Sequence, residues 1–193
     1  MRALMIGLGS IGQRHTRDLR TLLGGDVEII AYRARGLKHI VTPALYMDSG
    51  RNVENEYSIR VFASLDEALA EKPEMAFVCN PNSLHIPVAI ACIRAGCDLF
   101  LEKPLSNSLD GTDQLIKTAA DRQRIAMVGF QLRFHPCLRT LAETIQSAAL
   151  GNLKMGCPRI SSWSSRLLTP SSKQRCWGSR ATWQTTGVGQ TFG

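Results

Sequence analysis

A glycine-rich segment near the N-terminus, Gly7-Leu8-Gly9-Ser10-Ile11-Gly12, directly follows an apolar run. Gly7 permits a tight turn, Gly9 lets the backbone approach a pyrophosphate, and Gly12 allows a helix to pack closely on a strand. A helix that begins here would present its first backbone N–H groups to an anion. The spacing therefore favours a dinucleotide-binding loop, and the alternative is a glycine-rich structural turn.

Two arginines follow the next apolar run, which covers residues 27–32. Dinucleotide-binding units usually carry Asp or Glu at this point for the ribose 2′-hydroxyl of NAD, whereas an arginine suits the 2′-phosphate of NADP. This sequence has Arg33 and Arg35 there. Arg33 therefore favours NADP over NAD, and the alternative is that both arginines are solvated loop charges.

Three further polar motifs each follow a predicted strand, over residues 75–79, 98–101 and 125–128. Ligands of open α/β sheets bind at such strand ends. Each motif also has a purely structural explanation: a turn, an exposed charged pair, or histidines that cap helices or lie on the surface. The motifs are Asn80-Pro81-Asn82-Ser83-Leu84-His85, Glu102-Lys103-Pro104 and Gly129-Phe130-Gln131-Leu132-Arg133-Phe134-His135-Pro136.

In this order and spacing, the four motifs resemble the N-terminal domain of the Gfo/Idh/MocA family of oxidoreductases. The resemblance covers residues 1–150. It implies a dehydrogenase or reductase that uses NADP or NAD and transfers hydride at a secondary alcohol or ketone. It also implies a small carbohydrate-like substrate, such as a sugar, an inositol or a sugar derivative.

The resemblance also assigns roles to the motif residues. Lys103 would be the active-site lysine, whose ammonium stabilises a developing alkoxide or polarises a carbonyl. Glu102 would bind the nicotinamide ribose, and a cis Lys103–Pro104 bond would direct Lys103 into the cleft. The pyrophosphate would be held by Gly7, Gly9, Ser10, Ile11 and Gly12; Asn80, Pro81, Asn82 and His85 would lie along the cofactor towards the nicotinamide, and Gln131 and Arg133 would reach the nicotinamide or the substrate.

The elements that must position these residues alternate through the first 150 residues. Short apolar runs followed by segments of helical period predict a doubly wound, mostly parallel α/β sheet of the Rossmann type. Strands are predicted over residues 3–6, 27–32, 59–62, 75–79, 98–101 and 125–128, and helices over 11–23, 85–95, 109–123 and 136–150. A capping box at residues 64–67 predicts one more short helix. Residues 36–57 show no clear period, which indicates a loop, with or without one irregular helix.

The net charge of +7 is concentrated after residue 150. Residues 151–193 hold six of the 23 basic residues, none of the 16 acidic residues and all three tryptophans. We expect an irregular basic tail here, either a truncated or out-of-frame end or a segment that contacts an anionic surface. The first is favoured, because functional disordered tails are usually poor in Trp and Cys, and nucleic acid is therefore not the expected partner.

The resemblance implies a second α/β domain beginning near residue 150, with an acid/base histidine, most of the substrate pocket and the usual oligomer surface. Residues 151–193 contain no His and no Asp, and so short a segment cannot build an open sheet with its own core. We therefore expect an incomplete oxidoreductase with weak activity or none. The alternative is a non-catalytic nucleotide-binding or interaction module whose basic tail contacts an anionic partner.

Several other classes of protein are disfavoured by composition. The six cysteines form no Cys-x-x-Cys pair and the four histidines are scattered, so no metal-ligand spacing is present. The longest apolar run, residues 86–93, is well short of the roughly 20 residues that a membrane helix needs. The apolar stretch at the start of the sequence, residues 3–6, is too short for the apolar region of a signal peptide. We expect a cytoplasmic protein with no metal site.

Overall fold

The computed structural model describes residues 1–36 and 38–147, which contain eight strands and six α-helices. The strands are β1 (Arg2–Ile6), β2 (Glu28–Tyr32), β3 (Ile40–Val41), β4 (Met47–Asp48), β5 (Arg60–Phe62), β6 (Met75–Val78), β7 (Asp98–Leu101) and β8 (Ala126–Val128). The helices are α1 (Ser10–Leu23), α2 (Val53–Glu56), α3 (Leu65–Ala70), α4 (His85–Arg94), α5 (Thr112–Asp121) and α6 (Pro136–Gln146).

Six of the strands form one parallel sheet in the order β5-β2-β1-β6-β7-β8. The central strand β1 pairs with β2 on one side and with β6 on the other. The registers place Ile6 opposite both Tyr32 and Val78, so the chain leaves all three strands at the same edge of the sheet. The predicted doubly wound, mostly parallel sheet is confirmed.

Both faces of this sheet are buried. Along β1, Leu4 and Ile6 belong to one core cluster, which includes side chains of α4 and α5, whereas Ala3 and Met5 belong to a second cluster beneath α1. Successive side chains of a strand point to opposite faces, so a strand covered on both sides is apolar throughout. This is why the strand before the glycine-rich segment is a continuous apolar run.

Residues 36–57 differ from the predicted loop. They include the short antiparallel pair β3 and β4, with Ile40 opposite Asp48 and Val41 opposite Met47, and then the one-turn helix α2. Strands of two residues and a helix of four are too short to produce a recognisable period. The sequence therefore predicted only part of this region correctly.

Two predicted helices have different starts or caps in the structure. Helix α5 begins at Thr112, after Gly111 with a φ of +75°, and Leu109 is 85% exposed rather than helical. Ser64 occupies the N-cap position of α3, but its side chain makes no capping hydrogen bond, so the predicted capping box is incomplete. Helix α6 is described as far as Gln146. The predictions for residues 148–150, for a domain boundary at 150 and for a basic tail over 151–193 lie outside the described residues.

Two further observations concern the described part of the chain. No helix there is long and apolar enough to cross a membrane. His, Cys, Asp and Glu side chains in residues 1–36 and 38–147 do not gather into a group that could hold a metal ion.

Candidate functional site

The glycine-rich segment forms a tight turn between β1 and α1. Gly7 has a φ of +95°, and its N–H donates to the carbonyl oxygen of Tyr32 at 2.9 Å. A Cβ at Gly12 would lie 2.1 Å from the carbonyl oxygen of Gly7, and one at Gly7 would lie 3.0 Å from that of Cys79. Gly12 therefore requires glycine because a side chain would collide with backbone, and Gly7 does so because its positive φ strains any residue with a Cβ.

The N-terminus of α1 is open in this turn. Gly9 is the N-cap residue, and a Cβ there would meet nothing within 4 Å. Within the described residues, no side chain caps the helix, and its first turn carries no acidic residue. Gly9 and Ser10 are exposed, and Ile11 is half-buried. The first N–H groups of α1 can thus donate to an anion that approaches over Gly9.

Gln13 connects this turn to the segment around β3 by hydrogen bonds. The sequence did not indicate this role. The side chain is buried, and its amide nitrogen Nε2 donates to the carbonyl oxygens of Leu8 at 3.1 Å and His39 at 3.0 Å. Its Oε1 accepts from the N–H of Val41 at 2.7 Å. The only signal in the sequence was an amide at an inward-facing position of an amphipathic helix.

His15 and Glu102 connect α1 to the end of β7. His15 Nε2 lies 2.7 Å from Glu102 Oε1, and both side chains are mostly buried. The imidazole ring packs edge-on against Phe100, with 5.0 Å between ring centroids, and lies near Phe77. The other carboxylate oxygen, Oε2, accepts from the N–H of Lys103 at 3.2 Å. Glu102 is thus fixed in orientation, and the sequence had assigned no separate role to His15.

Lys103 and Pro104 follow directly. The peptide bond between them is cis, as the resemblance implied. The Lys103 side chain is exposed and has no ion-pair partner in the part of the chain that the structure describes. Its ammonium is therefore accessible next to the oriented carboxylate of Glu102.

The motif after β6 is partly buried beneath this edge of the sheet. His85 is 2% exposed, and its ring nitrogens lie 3.1 Å from the carbonyl oxygen of Pro104 and 2.9 Å from that of Asn80. The buried ring therefore connects the loop after β6 to the loop after β7 and does not face solvent. Oδ1 of Asn80 is buried with no hydrogen-bond partner among the described residues. Pro81 is exposed and Asn82 half-buried, at the start of a short 3₁₀ helix.

Cys79 lies directly beneath the glycine-rich turn. Burial, followed by the nearby charge of Glu102, raises the pKa of the Cys79 thiol above its ordinary value. The thiol therefore stays protonated and contributes packing rather than a nucleophile.

Arg33 lies at the end of β2, as predicted, but it is not solvated. Its guanidinium forms an ion pair with the carboxylate of Glu54 from α2, and the two side chains are 7% and 25% exposed. Burial lowers the pKa of the Arg33 guanidinium from its ordinary value, yet an arginine remains charged at neutral pH. Arg35 is exposed. The alternative of a solvated loop charge therefore fits Arg35 and not Arg33.

Gln131 and Arg133 lie in a 3₁₀ helix, Gln131–Phe134, after β8, and both are exposed. Gly129, just before this helix, donates its N–H to the carbonyl oxygen of Leu101 at 2.8 Å, and a Cβ there would lie 2.8 Å from the Phe100 ring. This close approach places the start of the segment beside the end of β7.

All the motifs therefore lie along the carboxyl edge of the parallel sheet. Backbone hydrogen bonds link the chain just beyond each strand, from Cys79 N–H to Ile6 O at 2.9 Å and from Glu102 N–H to Val78 O at 3.0 Å. The edge offers the uncapped N–H groups at the start of α1, the buried oxygen of Asn80, a fixed carboxylate and an accessible ammonium. This donor set fits a dinucleotide: an open approach over Gly9 for the pyrophosphate, and polar acceptors further along for hydroxyl and amide groups.

Comparison with known proteins agrees with this geometry. The model of the Gfo/Idh/MocA oxidoreductase family, described as an NAD-binding Rossmann fold, matches residues 1–130. A 4-carboxy-2-hydroxymuconate-6-semialdehyde dehydrogenase from Sphingobium sp. is 27% identical over 157 residues, which cover 80% of this chain and 46% of that protein. A myo-inositol 2-dehydrogenase from Thermotoga maritima is 27% identical over 153 residues, which cover 78% of this chain and 42% of that protein.

A solved structure extends the likeness to three dimensions. The UDP-N-acetylglucosamine 3-dehydrogenase from Acidithiobacillus ferrooxidans superposes with a TM-score of 0.57 at 26% identity, over 75% of this chain and 43% of that one. This chain thus spans less than half the length of each of these three proteins.

Proposed function

Because the chain belongs to the Gfo/Idh/MocA family of oxidoreductases, with its NAD-binding Rossmann fold, we propose that it binds a nicotinamide dinucleotide for hydride transfer. The proposed substrate is a secondary alcohol or ketone of a sugar, inositol or sugar derivative, in line with two of the relatives. The observation that carries the proposal is the open N-terminus of α1 over Gly9, on the same sheet edge as Glu102 and Lys103.

In this proposal the residues of the turn bind the pyrophosphate. The N–H groups of Ser10 and Ile11 donate to it, Gly9 leaves space for it, and Gly7 and Gly12 allow the turn to close. Glu102, held by His15, accepts hydrogen bonds from the hydroxyls of the nicotinamide ribose. The proposed cofactor domain is residues 1–150.

The reacting end of the site is proposed to be formed by the later motifs. The bound nicotinamide supplies the hydride acceptor or donor. The Lys103 ammonium stabilises negative charge on the substrate oxygen as its proton leaves, or polarises the carbonyl in the reverse direction. Asn80, Pro81 and Asn82 line the approach to the nicotinamide, Gln131 and Arg133 contact the nicotinamide or the substrate, and His85 positions the loops after β6 and β7.

We further propose that Lys103 by itself supports only weak turnover. The resemblance assigns the acid/base step to a histidine of a second domain, outside residues 1–150. Lys103 alone can polarise the substrate oxygen, but it leaves the proton transfer without a matched base, and general acid–base catalysis contributes typically 10²- to 10⁴-fold, as an order of magnitude.

The finer proposal concerns the cofactor: NADP is preferred over NAD, because Arg33 lies at the end of β2, where the 2′-substituent of the adenosine ribose is bound. Fluorescence titrations with NADPH and NADH give the two dissociation constants. We expect tighter binding of NADPH by the parent chain and a reversed preference in Arg33→Asp. Equal affinities in the parent would contradict the preference for NADP, and no binding of either dinucleotide would contradict the proposed function. Fresh samples of the same protein, given myo-inositol and the oxidised cofactor in place of the reduced one, are expected to show turnover near background.

A further inference from the structure

The carboxylate of Glu54 forms an ion pair with Arg33 at the position proposed for the 2′-phosphate. Arg33 follows the last residue of β2, and Tyr32 just before it accepts from the N–H of Gly7 in the glycine-rich turn. Nη2 of Arg33 donates to Oε1 of Glu54, with the guanidinium largely buried. The pairing therefore lies close to the proposed phosphate-binding turn.

The backbone that carries Glu54 is held in place by its neighbours. Val53 is fully buried, and its N–H donates to the carbonyl oxygen of Lys38 at 2.9 Å. Oδ1 of Asn52 accepts from the N–H of Glu54 at 2.8 Å, and the carbonyl oxygen of Glu54 accepts from the N–H of Ile59 at 2.9 Å. The backbone is thus fixed by hydrogen bonds both before and after Glu54, whereas the residues of a typical exposed ion pair are not held in this way.

We propose that Glu54 is a specificity-determining residue, whose carboxylate competes with the 2′-phosphate of NADP for Arg33 and so restrains the preference for NADP. This inference rests on the proposed function. A phosphate monoester carries about 1.5 to 2 negative charges at neutral pH, so it must displace Glu54 from the guanidinium or bind beside a like charge. A ribose 2′-hydroxyl carries no charge, and NAD therefore binds without breaking the ion pair.

The same helix provides a matched control. Glu56 forms an ion pair with Arg51, and the side chains are 35% and 49% exposed. Arg51 follows no strand of the parallel sheet, so this pair is not placed at a proposed 2′-phosphate position. Glu56→Gln removes the same charge from the same helix as Glu54→Gln does.

The experiment is a calorimetric titration of the full chain with adenosine 2′,5′-bisphosphate and adenosine 5′-monophosphate, which differ only by the 2′-phosphate. For Glu54→Gln we expect affinity for the bisphosphate to rise by about tenfold and affinity for the monophosphate to change by less than about twofold, as for loss of one nearby like charge. Glu56→Gln should change both affinities by less than about twofold. In an Arg33→Met background, Glu54→Gln should raise affinity for the bisphosphate by less than about threefold, because direct repulsion by Glu54 remains but the competition for Arg33 is gone.

Three results would overturn the proposal. They are an unchanged ratio of the two affinities in a folded Glu54→Gln chain, an equal gain in Glu56→Gln, and a gain that persists undiminished in Arg33→Met. If circular dichroism shows that Glu54→Gln is unfolded, Glu54→Asp retains the charge but withdraws the carboxylate by one methylene, and a ratio unchanged there would also overturn it. A parent chain that binds neither nucleotide would contradict the proposed function as well. A parent chain that binds both nucleotides, with the same affinity ratio in Glu54→Gln, would contradict only the role of Glu54.

Discussion

At the scale of single residues, three glycines of one motif serve different purposes. Gly7 adopts a φ of +95°, Gly12 has backbone within 2.1 Å of where its Cβ would lie, and Gly9 has empty space there. Gly7 and Gly12 therefore allow the turn to fold, whereas Gly9 leaves space for the proposed dinucleotide. The sequence motif marks all three alike, and only the geometry separates them.

This difference predicts separate effects for two alanine substitutions. Gly12→Ala places a methyl group against the carbonyl oxygen of Gly7, so we expect the free energy of unfolding to fall by about 2–4 kcal/mol. Gly9→Ala at the N-cap should lower it by no more than about 1 kcal/mol, but should weaken dinucleotide binding about tenfold because the methyl occupies the approach. Urea denaturation and NADPH titration measure the two quantities.

Gly25→Ala serves as the control for this pair, because a Cβ at Gly25 also meets nothing within 4 Å and lies outside the motif. Neither stability nor binding should change appreciably. Equal stability of Gly12→Ala and Gly9→Ala would show that the contact between Gly12 and Gly7 does not constrain the turn.

At the scale of elements, the six strands of the parallel sheet were predictable because each lies in a short run of mainly apolar residues. Residues 36–57 were not, since β3, β4 and α2 are too short to show a period and depend on contacts with distant residues. Gln13 from α1 binds the backbone of His39 and Val41. For the same reason the sequence indicated Arg33 but not its partner Glu54, which is brought to it by α2.

Loss of the Gln13 side-chain hydrogen bonds should therefore affect the segment around β3 in particular. Gln13→Met keeps the approximate volume but leaves buried backbone groups of Leu8, His39 and Val41 unpaired. We expect a loss of about 2–4 kcal/mol in the free energy of unfolding and faster hydrogen exchange of the Val41 amide. The control is Gln114→Met on the exposed face of α5, which should change stability by less than about 0.5 kcal/mol. Unaltered exchange at Val41 in Gln13→Met would contradict this role.

At the scale of the whole molecule, apolar side chains are exposed next to the proposed nicotinamide end of the site. Phe130 is 58%, Phe134 71%, Leu138 42% and Leu141 52% exposed. These four fall within twelve consecutive residues, and Leu138 and Leu141 lie on one face of α6, three positions apart. Clustered exposure of this kind promotes association, whereas single exposed apolar residues are ordinary on protein surfaces.

We therefore expect the chain to associate weakly, with a mass that rises with concentration, and not to form a stable dimer of fixed size. The double variant Leu138→Gln/Leu141→Gln should reduce this rise, while the free energy of unfolding changes by less than about 0.5 kcal/mol per exposed site. Leu22→Gln/Leu45→Gln is the control, because these side chains are 78% and 76% exposed but lie in separate parts of the chain. Size-exclusion chromatography with light scattering measures the mass. A concentration-independent dimer, or equal effects of the two double variants, would contradict the assignment of association to α6, since clustering and not exposure alone is the physical cause proposed.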